Sequence, residues 1–334
     1  VIDLLVNNLG PAAQAMVKNL GVSLNVIDVG WPATSSIAWA SVIAAFIIPL
    51  GIVINIVMLL TKTTRTMNVD IWNFWHYTFM GAMVYAVSDS IWQSLVAAAI
   101  FQIVCLKVAD WTAPMMSEFY DLPGVSIATG STISYAPGIF LVKGLQKVPG
   151  INKLHSDPET IQKRFGAFGE SIFVGLVLGL IIGLLAGYNA GDVINLGMSM
   201  AAVMVLMPRM VKILMEGLMP VSESARTWLN KRFGDREIYI GLDAAVALGH
   251  PAVISTALIL VPITVLLAVI LPGNQVLPFG DLATIPFIVA FIVGAARGNI
   301  IHSVIVGTIM VAISLNIATD VAPIFTSMAD GTNV

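Results

Sequence analysis

Asp243 and His250 are, by residue type and setting, the groups in this chain best suited to hold or move a small polar molecule. They lie in Ile-Gly-Leu-Asp-Ala-Ala-Val-Ala-Leu-Gly-His-Pro-Ala-Val, a stretch apolar enough for a membrane. An ionisable group at bilayer depth costs roughly 2.5–3.5 kcal/mol on insertion scales, so it persists where it faces a pathway, a ligand or another polar group. Seven residues make about two turns of helix, so a helical segment would bring both to one face. Pro251 lacks an N–H and ends or kinks such a helix beside His250. The pair could hydrogen-bond a solute, relay a proton or serve as a general acid and base. The structural alternative is an interhelical hydrogen bond. Glu237, at a loop edge beside Arg236, extends the set.

Three further groups carry polar chemistry. In Asn-Val-Asp-Ile-Trp-Asn-Phe-Trp-His-Tyr-Thr at 68–78, Asp70, Asn73, His76 and Tyr77 fall at helical spacing and can share a broad face. Trp72 and Trp75 offer flat rings of the kind that stack on sugar C–H faces, or that form an interfacial belt. Between Gly124 and Gly138 a hydroxyl-rich stretch includes Thr129 and Ser131. It suits either polyol contacts or close small-residue packing. Asp281 follows Pro-Gly-Asn-Gln-Val-Leu-Pro-Phe-Gly, where it would cap the next helix or mark a half-helix end facing a solute.

The elements that position these groups follow from composition. The chain is 57% hydrophobic and 10% charged, with a mean hydropathy of +0.91. Soluble domains carry about 25% charged residues, so an all-α polytopic membrane protein is expected, a multi-span bundle with broken or re-entrant helices. A net charge of −3 offers no basic surface for nucleic acid. One cysteine, Cys105, excludes an internal disulfide and a cysteine metal cluster. The sequence contains no Walker A, HExxH or GxSxG pattern, so no cofactor is expected and a built-in ATPase or embedded hydrolase is disfavoured. An amphipathic helix is expected after Pro11. Spans are expected at 37–60, 70–88, 91–109, 168–187, 193–218, 252–271 and 300–319, with a short polar-marked segment at 238–250 and a half-length element ending before Arg297. Lys62 and Arg65, the loop from Lys143 to Arg164 and the loop from Arg226 to Arg236 read as cytoplasmic. An even number of crossings must separate cytoplasmic loops, which makes the Gly/Ser/Pro-rich 122–142 the segment expected to be re-entrant. The segments 70–79 and 238–250 each follow a basic loop, a coarse likeness to transporters with internal repeats.

Several blocks together resemble one family: IDVGWP at 27–32, NVDIWNFWH at 68–76, KRFGAFGE at 163–170, GLIIGLLAGY at 179–188, GLDAAVALGH at 241–250 and PGNQVLPFGDLATI at 272–285. They are similar to the galactitol-type enzyme IIC, the membrane subunit of a bacterial phosphoenolpyruvate-dependent phosphotransferase system, in its ascorbate–galactitol group. The resemblance implies a homodimeric inner-membrane carrier with a scaffold and a substrate-binding core. It also implies partner subunits, a IIB with a phosphocysteine and a IIA with a phosphohistidine, that phosphorylate the incoming polyol. Family chains are longer at both ends, so 1–334 is read as one enzyme IIC membrane domain lacking N- and C-terminal spans. Substrate contacts are expected from Asp243, His250, Asn73, His76, Asp281 and Glu237, with Thr129 and Ser131 from the loop. The competing reading is an ion- or proton-coupled transporter of a small polar solute; a membrane-embedded enzyme is weaker, because no nucleophile or metal cluster accompanies Asp243 and His250.

Overall fold

The computed structural model describes residues 2–19, 21, 26–27, 30–160, 170–233, 237–278 and 281–330. Lys163, Arg164 and Arg236 of the expected basic loops, and most of the 163–170 block, lie outside the described residues. In chain order the helices are α1 (Ile2–Asn19), α2 (Gly30–Ala40), α3 (Ala44–Leu60), α4 (Phe74–Ser88), α5 (Ile91–Tyr120), α6 (Gly130–Ser134) and α7 (Pro137–Leu145), followed by α8 (Ser171–Leu185), α9 (Ala190–Phe233), α10 (Pro251–Ile270), α11 (Ile285–Ile288), α12 (Ala290–Ala295) and α13 (Ile300–Asp330). Short strands interleave them: β1 (Val26–Ile27), β2 (Thr66–Asn68), β3 (Val125–Ile127), β4 (Tyr239–Leu242) and β5 (Val276–Leu277). Among the described residues α5, α10 and α13 are long and apolar enough to cross a membrane.

The helical class stands, but several boundaries differ for identifiable reasons. α1 starts before Pro11 and carries it inside the helix. The expected span at 37–60 is a bent pair, Ala33–Ala40 and Ala44–Leu60, turned by 93° at the intervening break. α5 runs on past 109 because Asp110, where the apolar run ends, is buried with its carboxylate satisfied. It stops where Asp121 takes a left-handed conformation at φ 54°. α9 continues to Phe233, so Arg226, Lys231 and Arg232 lie on a helix and not in a loop. The stretch 122–142 is broken into β3, α6 and α7, as a Gly- and Pro-interrupted segment requires. The segment 238–250 is no helix: it is β4, then a 3-10 turn at Ala244–Gly249. The one-face argument for Asp243 and His250 therefore fails, since it needs the 3.6-residue period.

The chain divides into two compact units. One comprises Val1–Trp31, Tyr135–Val211 and Ala247–Asp320. In it β1 pairs with β5 in parallel, and Tyr135, Val142, Ile292, Ala296, Val306 and Met310 form a buried apolar cluster. α8 and α9 meet through glycines at spacing four. A Cβ at Gly179 would lie 2.8 Å from the Gly197 Cα and 2.8 Å from the Leu196 carbonyl oxygen, and one at Gly175 would lie 2.7 Å from the Met200 carbonyl oxygen. Those neighbours are backbone and cannot swing aside. Gly179→Val is thus expected to separate the two helices and destabilise the chain by about 1–3 kcal/mol, the usual range for overpacking. A thermal-unfolding comparison of the purified variants checks this, with Gly144→Ala, which meets nothing within 4 Å, as the neutral control.

The other unit comprises Pro32–Ser134, Lys212–Val246 and Val321–Val334. At its centre is a parallel sheet in the order β2-β4-β3. Asn68 pairs with Gly241 and Gly241 with Ser126, so the three strands end level with one another. Parallel strands in one sheet must be joined by chain that leaves and returns, and α4 with α5 makes that excursion between β2 and β3.

Candidate functional site

The carboxyl ends of these three parallel strands are where the polar groups gather. β2 is followed by Val69 and Asp70 and then a 3-10 turn at Ile71–Asn73. β3 is followed by Ala128 and Thr129 and then α6, and β4 by Asp243 and the turn at Ala244–Gly249. Each strand thus delivers a polar side chain at the point where the backbone switches from extended to helical. Open parallel sheets place ligands at the same point, because neighbouring loops diverge there and leave room.

The side chains form one connected network. The Thr129 hydroxyl lies 2.9 Å from Asn73 Oδ1 and 3.0 Å from Asp243 Oδ2, and it accepts the Ala244 N–H at 3.0 Å. A hydroxyl carries a single proton, so it donates to Asn73 or to Asp243 at any one time. Asp243 Oδ1 accepts the Ala245 N–H at 2.8 Å, and the Asp243 N–H donates to Asp70 Oδ2 at 3.1 Å. Asp70 Oδ1 caps the next turn by accepting the Trp72 N–H at 3.0 Å. On the far side Asn73 donates to Asn68 Oδ1 at 2.9 Å, and Asn68 reaches the Tyr77 hydroxyl at 3.3 Å. Asn73 and Thr129 are buried, whereas Asp70 and Asp243 are half-buried.

His76 sits one turn beyond Asn73 and is 8% exposed. Neither of its ring nitrogens has a hydrogen-bond partner, and its approach to the Asn73 carbonyl one turn back falls short of hydrogen-bond geometry. The Trp75 ring lies 3.9 Å from the His76 ring, centroid to centroid. Gly130, directly after Thr129, packs against His76: a Cβ there would stand 2.7 Å from the His76 Cβ. Ser131 follows on α6 and is half-buried.

A second polar cluster fixes the other edge of the sheet. Asp110 accepts bonds from the hydroxyls of Thr64 and Thr66 at 2.9 and 2.8 Å and from the Arg65 N–H at 2.9 Å. Asn55 donates to the Thr66 carbonyl and accepts the Asn68 N–H, both at 2.9 Å, so it holds both ends of β2. These two positioning residues escape a reading of the chemistry-bearing clusters. Their one signal is a lone acid or amide within an apolar span, which is costly unless satisfied.

Three of the expected site residues lie elsewhere. Glu237 pairs with Arg65 at 3.1 Å, at 60% and 40% side-chain exposure, with the guanidinium 4.9 Å above the Tyr239 ring. That ion pair marks the start of the strands, not their ends. His250 caps α10, its Nδ1 accepting the Ala252 N–H at 3.2 Å ahead of Pro251 at the first helical position. Asp281 makes no cap bond to its own turn and instead accepts the Trp31 N–H at the start of α2, at 2.9 Å. His250 and Asp281 belong to the unit containing α10, and Asp243 to the other.

Comparison with known proteins places the chain. It is 46% identical over 330 residues to the PTS system galactitol-specific EIIC component of Escherichia coli (strain K12), covering 98% of this chain and 73% of that protein. The same figures hold for the protein of that name from Escherichia coli O157:H7. The family described as PTS system sugar-specific permease component, EIIC-GAT, matches residues 1–334. Membership implies IIA and IIB partner components and a seat in a membrane. The chain belongs to the EIIC-GAT family of sugar-specific permease components of the phosphotransferase system.

Proposed function

We propose that this chain carries a hexitol, galactitol in the first instance, across the inner membrane as a multi-pass homodimer and presents it to a IIB subunit for phosphorylation. The observation that carries the reading is the network of Asp70, Asn73, Thr129 and Asp243 at three strand ends, within a family of sugar permeases. A polyol is a row of hydroxyl donors, and this network is rich in acceptors. Asp243, Asn73 and His76 are the proposed contacts, with Thr129 setting their positions and Ser131 beside them. The unit that holds them is the proposed substrate-binding core, the unit with α10 the scaffold, and residues 1–334 together one IIC membrane domain. Glu237, His250 and Asp281, each engaged with a partner of its own, take structural roles in this proposal.

The proton-coupled alternative places Asp243 in a relay. Uptake of labelled polyol separates the two. Phosphoenolpyruvate-dependent uptake that needs the IIB partner and survives a protonophore supports the group-translocating reading, whereas uptake that collapses with the proton gradient and ignores IIB overturns it. Orientation has its own test. Cysteines introduced at Lys62 and Lys153 are expected to resist an impermeant thiol reagent in intact cells and to react in inside-out vesicles; labelling from outside would reverse the assigned sidedness.

A further inference from the structure

We infer that the site rejects its own phosphorylated product, with Asp70 and Asp243 binding a neutral polyol and expelling the phosphate ester. The inference rests on the proposed polyol reading and adds to it a rule of selectivity. An ionised carboxylate offers about four lone-pair positions. Both oxygens of Asp70 and Oδ1 of Asp243 each accept one N–H, from Trp72, Asp243 and Ala245, and Asp243 Oδ2 shares the single Thr129 proton with Asn73 Oδ1. Capacity for further donors therefore remains on both half-buried side chains, and hydroxyl groups supply donors. A phosphate ester at neutral pH carries acceptor oxygens and negative charge, so it brings acceptors to acceptors and charge to like charge.

His76 points independently to a ligand. It is buried, and neither ring nitrogen is satisfied, a state that costs free energy unless something visits it. A neutral imidazole presents one donor and one acceptor, which matches a hydroxyl, itself both. It packs against Gly130, the residue that follows Thr129, whose hydroxyl meets Asp243. The cations that the contacts locate in this unit lie at the opposite end of the strands. Arg65 is paired with Glu237, and Lys107 is bonded to the Thr63 carbonyl at 2.8 Å. At about 3.3 Å per residue of strand, they are too far along β2 to neutralise a phosphate held at Asp70.

The test is equilibrium binding of galactitol and of its 1-phosphate to the purified full chain in detergent. The expected result is an ester affinity at least about thirtyfold below that of the polyol, the scale of one unscreened like-charge contact. Asp70→Asn and Asp243→Asn keep the side-chain shape, and each is expected to narrow that gap by about tenfold while Glu237→Gln leaves it unchanged. In the unaltered chain, raising the salt concentration is expected to narrow the gap as well, because screening weakens half-exposed charges; this measurement does not depend on any variant folding. An ester that binds as tightly as the polyol, or a gap indifferent to salt and to both Asn variants, overturns the inference and leaves the polyol reading standing. Failure of the unaltered chain to bind any hexitol overturns the polyol reading, and the inference with it.

Discussion

Thr129→Val is expected to lower polyol affinity by about a hundredfold, and Thr129→Ser to preserve it. Valine matches threonine in shape, so the change removes the hydroxyl and little else. That hydroxyl meets Asn73 and Asp243 and receives the Ala244 N–H. Leaving a buried partner unsatisfied costs about 1–3 kcal/mol each. Some of that loss falls on the folded state and some on the geometry of the site. A total near 3 kcal/mol in the site corresponds to about two decades of affinity, at 1.4 kcal/mol per decade. Titration of purified variants with galactitol reads the effect directly. Valine binding within threefold of the unaltered chain would show that the hydroxyl does not organise the site.

Gly241→Val is expected to abolish uptake altogether. Gly241 lies in the middle strand of the β2-β4-β3 sheet, with Asn68 on one side and Ser126 on the other. A Cβ there would stand 2.8 Å from the Thr66 Cγ2 and 3.1 Å from the Asn68 Cα. The second neighbour is backbone, so the strands themselves must part. Separation of β2 from β4 would carry Asp70 away from Asp243, whose N–H it accepts at 3.1 Å. The effect should exceed that of any single polar substitution, because it removes the frame that all the contacts share. Uptake by cells expressing the variant is the readout, with membrane content measured by immunoblot; normal uptake would mean that the sheet tolerates an opening the geometry forbids. Gly241→Ala is the milder companion and is expected to retain a fraction of activity.

Composition alone determined that this chain belongs in a membrane, since 10% charged residues cannot clothe a soluble surface of this size. The apolar run at 252–271 was legible almost to the residue as Pro251–Ile270, because a proline opens it and no charged residue interrupts it. Asp243, Asn73, His76 and Thr129 stood out in the sequence as chemistry, because polar groups in apolar surroundings need a reason. Their arrangement was not. Helical spacing linked Asp243 to His250, yet β4 and a 3-10 turn occupy that stretch, and two to four residues of strand carry too short a pattern to be told from a helix. The tertiary structure instead joined Asp243 to Thr129, Asn73 and Asp70, residues up to 173 positions away. It did so through parallel strand pairing, a long-range choice of register that leaves no local trace in the sequence. The same pairing decided that Asp110 could lie inside a helix, by supplying the hydroxyls of Thr64 and Thr66 from another part of the chain. Local periodicity records which residues avoid water; which polar groups meet depends on strands brought together from three separate segments.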